Sequence, residues 1–175
     1  MPSTVLRDYR EADAPEINRV ALAAFEEFSS SYSDWPALAS ILGRMSELAD
    51  HGQIVVAEMA DSIIGAVAYI PPHRSKASYF ETAWPIIRSL VVDPAHRGAG
   101  VGRALTEECI SRARRDASSV IALHTSPILT VALPMYLRIS FERHHEAPPI
   151  YGVPYAVYVK KLIVLDSHLG SQGFQ

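Results

Sequence analysis

The segment 86-IIRSLVVDPAHRGAGVGRAL-105 joins a strand, a turn and a helix in a fixed order. The β-branched, apolar run Ile86–Val92 predicts a strand that Asp93-Pro94 ends, and three alternating glycines follow it. Beyond the glycines, an apolar residue at every fourth position predicts a helix to about residue 117. Its apolar stripe consists of Val101, Leu105, Cys109, Ala113 and Ala117. A strand that passes through a glycine-rich turn directly into a helix decides the fold of this region.

The turn has the physical features of an anion site. Glycine permits a tight turn and lets an anion approach the backbone without a Cβ in the way. The first N–H groups of the helix and the positive end of its dipole attract phosphate, and Arg97 and Arg103 flank the turn. The segment lacks the Gly-Lys-Ser/Thr of an ATP-binding P-loop and the spacing of a dinucleotide fingerprint. Chain reversal alone does not explain three glycines between two arginines, so we interpret the turn as a phosphate site.

The remaining sequence predicts a mixed α/β domain, because two helices and an antiparallel hairpin precede alternating strands and helices. The predicted helices cover 13–28, 36–49 and part of 128–139. The predicted strands are 53–59 and 62–70, which form the hairpin, followed by 119–124, a strand near 141–143 and 155–165. We expect one domain over residues 1–165 and a polar C-terminal tail over 166–175.

Composition restricts the function further. The 175 residues are 49% hydrophobic and carry a net charge of −3, so no basic field favours nucleic acid or anionic lipid as a partner. The single cysteine, Cys109, rules out an internal disulfide and suits a reducing compartment. The N-terminal residues show no secretory signal, and no apolar run approaches the ~18 residues of a membrane span. We therefore expect a cytoplasmic protein with no membrane partner.

The stretch Arg97-Gly98-Ala99-Gly100-Val101-Gly102 resembles the R/Q-x-x-G-x-G/A signature of the GNAT superfamily of N-acetyltransferases. The resemblance covers 89–105 in full and 4–162 more loosely. It implies an α/β (α+β) fold with a mixed, mostly antiparallel sheet between helices, and acetyl-CoA as co-substrate without a metal. It also implies that the strand backbone pairs with the pantetheine arm and that the turn binds the pyrophosphate. The residues at these cofactor positions are Leu90, Val91, Val92, Arg97, Gly98, Ala99, Gly100, Val101, Gly102, Arg103 and Ala104.

Tyr136 is similar in position to the tyrosine of the family segment A-x-x-x-Y-x-x-x-G-F, with Ala132 before it and Phe141 after it. The resemblance implies that this phenol donates a proton to the departing CoA thiolate. A phenol with an ordinary pKa of ~10 is protonated at pH 7 and is able to do so. Two positions depart from the family pattern, because Ser140 replaces a glycine and Leu129 replaces a frequent asparagine. The alternative role for Tyr136 is packing on an amphipathic helix.

The general base and the acceptor residues are less defined, because the strand position of the family's frequent glutamate falls at Ile86 or Arg88. The candidates for the base are His124, Glu26, Glu27 and Glu81. We favour His124, because an ordinary histidine pKa lies near 6.5 and strand ends line the expected cleft. Arg88 either orients an acidic acceptor or pairs internally, and Tyr151 with Tyr155 forms an acceptor wall or only packs on the sheet. The predicted substrate-binding residues are Glu26, Arg88 and Tyr151.

The sequence therefore predicts an N-acetyltransferase that transfers acetyl from acetyl-CoA to a primary amine of a small molecule or peptide by direct attack. A non-catalytic module that binds or senses acyl-CoA remains as the alternative, because the strand glutamate and the asparagine are missing. A ligand-free partner-binding domain is disfavoured by the intact glycine turn. The acceptor stays open among an antibiotic, a polyamine, an amino acid and a protein N-terminus, and so does homodimer formation. The lack of a strong acidic patch favours an amine of modest size.

Overall fold

The computed structural model describes residues 2–163, so the predicted tail 166–175 and the predicted domain end at residue 165 lie outside the described residues. The strands are β1 (Val5–Asp8), β2 (Gln53–Met59), β3 (Ser62–Ile70), β4 (Ile86–Val92), β5 (Val120–Thr125), β6 (Glu142–Ile150) and β7 (Val153–Lys161). The α-helices are α1 (Ala14–Phe25), α2 (Trp35–Leu42), α3 (Val101–Arg115) and α4 (Ala132–Arg138). Short 3₁₀ segments cover Glu11–Asp13, Glu26–Ser31, Met45–Asp50 and Pro94–His96.

The seven strands form one sheet in the order β1-β2-β3-β4-β5-β7-β6. Every neighbouring pair is antiparallel except β4 and β5, which are parallel. This mixed, mostly antiparallel sheet with helices on both faces confirms the predicted fold class.

Each face of the sheet carries its own apolar core, because successive strand residues point to opposite faces. Val56 on β2 belongs to the core that α1 and α2 cover, and its neighbour Val55 belongs to the core that α3 and α4 cover. The stripe predicted from the helical spacing in α3 is buried from Val101 to Ala113, with Leu105 and Cys109 both at 0% exposure. Ala117 is exposed, because the helix ends at Arg115, two residues earlier than predicted. The two cores place α1 and α3 on opposite sides of β4.

Some predicted boundaries were wrong for local reasons. The predicted helix 36–49 is two segments, because α2 ends at Gly43 and a 3₁₀ turn follows at Met45–Asp50. The predicted helix 13–28 changes to a 3₁₀ segment after Phe25. The last two strands form a long hairpin, and β6 runs to Ile150 through two prolines, which an edge strand tolerates.

Strand β1 was not predicted, because its four residues are too few to show an alternating pattern. It is joined to the sheet edge by four register pairs with β2. Among residues 2–163, no helix has both the length and the apolar character that a bilayer span requires.

Candidate functional site

A groove with a cavity volume of about 340 Å³ lies beside β4, between the start of α3, helix α4 and the 3₁₀ segment that follows α1. We call it the groove. The predicted cofactor residues that line it are Leu90, Val92, Arg97, Gly98, Gly100, Val101, Gly102 and Arg103. Val91, Ala99 and Ala104 are not among its lining residues. Val91 is only 1% exposed, because its side chain packs in the core on the α1/α2 face.

The groove is open because β4 separates from β5. These two strands share a single register pair, Ile86 with Ala122, and Ser89 has a φ of 55°. The pairing of β4 with β3 is irregular at the same level, which marks a bulge. Beyond the bulge, the peptide groups of β4 on the side towards β5 do not join a strand ladder. An extended ligand is able to pair with them.

The turn before α3 presents backbone N–H groups to the groove. Gly98 and Gly100 have φ values of 81° and 80°, and a Cβ at either position would meet nothing within 4 Å. These glycines are therefore required by backbone conformation and not by crowding. Gly100 is also the N-cap of α3 and caps no N–H by a side chain, so the first turn of this helix is free to hold an anion.

Gly102 has a different role from the one its place in the pattern suggests. It lies in the first turn of α3, and a Cβ there would be in ordinary contact with Val92 at 3.6 Å and Leu90 at 3.8 Å. The helix conformation at this position does not require glycine.

Arg97 connects the turn to the end of α1. One of its nitrogens donates to the carbonyl oxygen of Ala24 at 2.8 Å, and another pairs with the carboxylate of Glu27. Arg103, the second flanking arginine, is mostly exposed and pairs with Glu107 at 2.9 Å. The two arginines that were predicted to flank a phosphate thus both line the groove, each with a carboxylate partner in this structure.

Several groove residues were not predicted. They are Ala24, Phe25, Phe28, His96, Val131, Met135, Arg138 and Ile139. The spacing of Ala132, Met135 and Ile139 is that of one helix face and would have identified the α4 side. Arg138 adds an exposed positive charge to the groove beside those apolar side chains. In the sequence, its position two residues after Tyr136 was the only indication of this role.

Tyr136 lies on the inner side of α4. Its ring is 5% exposed and packs against Phe141 with a centroid distance of 5.6 Å. Burial, with a smaller effect from Cys109, raises the pKa of the phenol well above its ordinary value, so the group is protonated at neutral pH. Tyr136 is not one of the residues that line the groove, whereas Ala132 and Met135 beside it are.

Ser140 stands after α4, where the family pattern has a glycine, and it adopts the backbone conformation that glycine favours. It has a φ of 73°, and the N–H of Phe141 donates to the carbonyl oxygen of Tyr136 at 3.0 Å, as in a helix C-terminal turn. The left-handed conformation that glycine favours is therefore adopted here by serine, at a cost of about 1–2 kcal/mol.

His124 lies on the other face of the sheet, in a group of aromatic side chains. We call this group the aromatic cluster, and it consists of Tyr79, Phe80, His124 and Tyr155. The Nδ1 atom of His124 is 3.1 Å from the hydroxyl of Tyr79, whose ring stacks on the imidazole. Burial, with a smaller effect from Arg88, lowers the pKa of His124 to about 4, so the ring is neutral at pH 7.

The structure does not bring the two predicted catalytic side chains together on one face. Tyr136 belongs to the core on the α3/α4 face, whereas the partners of His124 belong to the core on the α1/α2 face. His124 is also absent from the residues that line the groove.

The predicted acceptor residues lie on the α1/α2 face and beside it. Arg88 is exposed on β4, and Glu26 is exposed just after α1. Tyr151 is half-buried in the β6–β7 turn, where its carbonyl oxygen accepts a hydrogen bond from the N–H of Ser33 at 2.8 Å. One residue earlier, Tyr32 bonds the hydroxyl of Tyr155 at 2.6 Å. These two bonds attach the segment after α1 to the last hairpin.

Within residues 2–163, no cluster of three or more His, Cys, Asp or Glu side chains is placed to hold a metal ion.

Comparison with known proteins agrees with this architecture. A family model described as "Acetyltransferase (GNAT) family" matches residues 16–141. The Rattus norvegicus protein N-acetyltransferase 8F1 is 29% identical over 98 residues, which are 56% of this chain and 43% of that protein. This chain therefore spans less than half the length of that relative.

Two solved structures show the same fold at low identity. PH1933 from Pyrococcus horikoshii OT3 has a TM-score of 0.74 at 16% identity, with 92% of this chain and 99% of that chain covered. A GNAT family acetyltransferase from Brucella melitensis, solved in complex with acetyl-CoA, has a TM-score of 0.62 at 21% identity, with 99% and 92% covered.

The seven-stranded sheet and its helices match the fold of a solved GNAT family acetyltransferase. The chain belongs to the GNAT family of acetyltransferases, whose model covers more than half of its length. The predicted family is thereby confirmed.

Proposed function

We propose that this chain transfers the acetyl group of acetyl-CoA to a primary amine of a small molecule or peptide by direct attack. One observation carries the proposal: the free backbone edge of β4 leads directly to the uncapped start of α3. A pantetheine arm needs an extended backbone partner, and a pyrophosphate needs N–H groups and positive charge. The neighbour from Brucella melitensis, solved with acetyl-CoA, supports this assignment, and the name of the rat relative supports N-acetylation.

The cofactor would use the residues that the sequence assigned to it, chiefly through their backbone. Leu90, Val91 and Val92 would pair with the pantetheine arm. The turn and the first residues of α3 would hold the pyrophosphate, with Arg97, Arg103 and the additional Arg138 supplying charge. Ala99 and Ala104 would contribute only through backbone groups, because their side chains are outside the groove lining.

In the reaction, the neutral amine attacks the thioester carbonyl carbon, so that a C–N bond forms and the C–S bond breaks. The amine loses one proton and the thiolate of CoA gains one. We propose His124 as the group that takes the first proton and Tyr136 as the group that supplies the second. At pH 7 His124 is neutral and Tyr136 is protonated, which are the states from which these two proton transfers would start.

The positions of these two groups on opposite faces are compatible with the proposal, because the thioester would sit in the opening between β4 and β5. A group at that opening is accessible from both faces of the sheet. The amine would approach from the α1/α2 face, where Glu26, Arg88 and Tyr151 are the proposed acceptor residues.

A second function is favoured by one observation: Tyr136 is packed in a core and does not line the groove. On that basis the chain would bind acyl-CoA without catalysis and act as a sensor. Release of free thiol from acetyl-CoA in the presence of a panel of amines separates the two functions. Amine-dependent thiol release supports the transferase, whereas tight binding by calorimetry without any thiol release supports the sensor.

The proposal also covers the domain bounds, the compartment and the kind of partner. We propose one functional domain over residues 1–165, with the tail 166–175 outside it. We propose a cytoplasmic setting, because the single cysteine, Cys109, cannot form an internal disulfide and suits a reducing compartment. The net charge of −3 supports an amine acceptor and not a nucleic acid.

A further inference from the structure

Arg88 is a cation without a partner on the face from which the acceptor would approach. It is exposed, and within residues 2–163 it takes part in none of the ion pairs or side-chain hydrogen bonds. By contrast, Arg97 and Arg103 on the groove side each have a carboxylate partner. Of the two roles that the sequence left open for Arg88, internal pairing is therefore wrong.

The direction of Arg88 follows from the strand. Ile86 packs in the α1/α2 core and Ile87 packs in the α3/α4 core, so Arg88 shares the face of Ile86. On β5, Ala122 packs in the α1/α2 core, and His124 lies on the same face two residues later. The positive charge of Arg88 acts on both His124 and Tyr79, where it lowers both pKa values as a secondary cause. Arg88 therefore stands beside the aromatic cluster.

The distance from Arg88 to the reaction site is short. Leu90, where β4 begins to line the groove, is two residues further along the strand, which corresponds to about 7 Å. The bulge at Ser89 lies between them and turns the strand away from β5. The distance from the opening to Arg88 is therefore no more than the length of an arginine side chain. The guanidinium of Arg88 is able to reach a ligand whose amine lies in the opening.

We propose that Arg88 binds a carboxylate that the acceptor carries close to its amine, so that the acceptors are small amino acids and related amino carboxylates. This inference rests on the proposed function. The guanidinium offers paired donors that match a carboxylate, and the neutral Tyr79–His124 pair places no acid beside it that would compete. The same charge disfavours polyamines and polycationic antibiotics, and a protein N-terminus has no carboxylate at this distance.

The test compares each of several amino acids with its own amide at equal concentrations of the neutral amine, so that the side chain is kept and only the carboxylate charge is removed. We expect the wild-type protein to prefer the amino acid by about 10- to 100-fold in kcat/KM, which is typical of a hydrogen-bonded charge pair. R88Q should remove the preference, mainly by raising KM for the amino acid. R88K should keep part of it.

The matched control is R114Q, which removes the same charge from an exposed site on α3 and should leave the preference and the kcat/KM values unchanged. Calorimetry with acetyl-CoA and circular dichroism check that each variant is folded and retains the groove. Equal kcat/KM for the amino acids and their amides in wild type, or an unchanged preference in R88Q, would overturn the inference.

A failure of the proposed function gives a different result, because no amine would then release thiol although acetyl-CoA binds. In that case the binding of amino acids and of their amides to the CoA-loaded protein is measured by calorimetry. Binding of the amino acid that is lost in R88Q and kept in R114Q supports the carboxylate site, and equal binding of amino acid and amide overturns it.

Discussion

The groove and the aromatic cluster both lie near the point where β4 separates from β5, but they differ in the groups that they offer to a ligand. In the groove, the glycine turn and the start of α3 offer backbone N–H groups, beside the side chains of Arg97, Arg103 and Arg138. The aromatic cluster is made of side chains from three segments, among them Tyr79, His124 and Tyr155. Binding by backbone tolerates changes of side chain, whereas binding by side chains changes with each substitution. We therefore expect cofactor use to be shared across such a fold and acceptor choice to be particular to this chain.

The largest effect in this comparison is expected from Tyr136→Phe, which tests whether the groove side supplies a catalytic proton. The substitution keeps the ring and its packing against Phe141 and removes the hydroxyl. General acid catalysis contributes about 10²–10⁴-fold, so the rate of acetyl transfer in a single turnover should fall by that factor while the affinity for acetyl-CoA is retained.

Tyr158→Phe is the matched control for this experiment. Tyr158 is 7% exposed and belongs to the same core, so it reports the effect of losing a phenol hydroxyl from that core without a catalytic role. Wild-type single-turnover rates in a folded Tyr136→Phe protein would remove Tyr136 from the mechanism. A loss of stability with an unchanged rate would assign it to packing.

The second effect concerns the aromatic cluster and is a dependence of stability on pH. The folded protein holds the pKa of His124 at about 4, below the ordinary 6.5 that applies when the chain is unfolded. Between these values the unfolded chain binds the proton and the folded chain does not, so stability falls as the pH is lowered from 6.5 to 4. The full loss attributable to this group is roughly 3 kcal/mol.

Urea unfolding at a series of pH values measures this dependence. His124→Gln should flatten the stability curve between pH 6.5 and 4, because the titrating group is gone. His51→Gln, which changes an exposed histidine, should leave the wild-type slope in place. If His124→Gln and wild type lost stability in parallel over this range, the neutral, buried state of His124 would be wrong.

The third effect is on the groove and uses a turn glycine. Gly100→Val places a β-branched side chain at a φ of 80°, where the left-handed conformation costs a non-glycine residue about 1–2 kcal/mol. We expect the turn to change shape and the dissociation constant of acetyl-CoA, measured by calorimetry, to rise by about tenfold or more. Gly152→Val carries the same strain, because its φ is also 80°, at a hairpin away from the groove. Equal acetyl-CoA affinity in wild type and Gly100→Val would contradict the phosphate site.

The difference between the two regions also explains how much the sequence could predict. The hairpin bounds 53–59 and 62–70 and the order of β4, turn and α3 are confirmed, because they follow from local patterns. For the aromatic cluster, Tyr79 and Tyr155 are 76 positions apart (155 − 79). The pairing of β5 with β7 brings Tyr155 to His124, and the loop between β3 and β4 brings Tyr79 to the same ring. The burial that lowers the pKa of His124 has no local signal in the sequence.

Local patterns also misled in two places. Three alternating glycines suggested one common role, but only Gly98 and Gly100 have positive φ, and Gly102 is an ordinary helix residue. The motif around Tyr136 indicated a residue at the cofactor, yet helical periodicity places it on the buried side of α4 while Met135 faces the groove. A motif specifies which residues are near one another along the chain, and packing decides which of them face the ligand.

The smallest effect is expected at Arg97, which connects the turn to the end of α1 within the groove. Its guanidinium donates to the carbonyl oxygen of Ala24 at the end of α1 and pairs with Glu27 just after that helix, so part of its charge is neutralised before any phosphate arrives. Glu27→Gln removes the opposing carboxylate and keeps the length of the side chain. Because Glu27 is 49% exposed, the pair is worth at most about 1 kcal/mol, which corresponds to roughly a fivefold change in a binding constant. The affinity for acetyl-CoA should therefore rise by up to about fivefold in Glu27→Gln. The increase should shrink as salt is added, since exposed charges are screened.

Glu26→Gln makes the same change in net charge at an exposed neighbour that forms no ion pair within residues 2–163, and should leave the affinity closer to that of wild type. Equal increases in the two variants would show that only the overall charge matters. A decrease in Glu27→Gln would show instead that the carboxylate holds Arg97 in the position from which it contacts the cofactor.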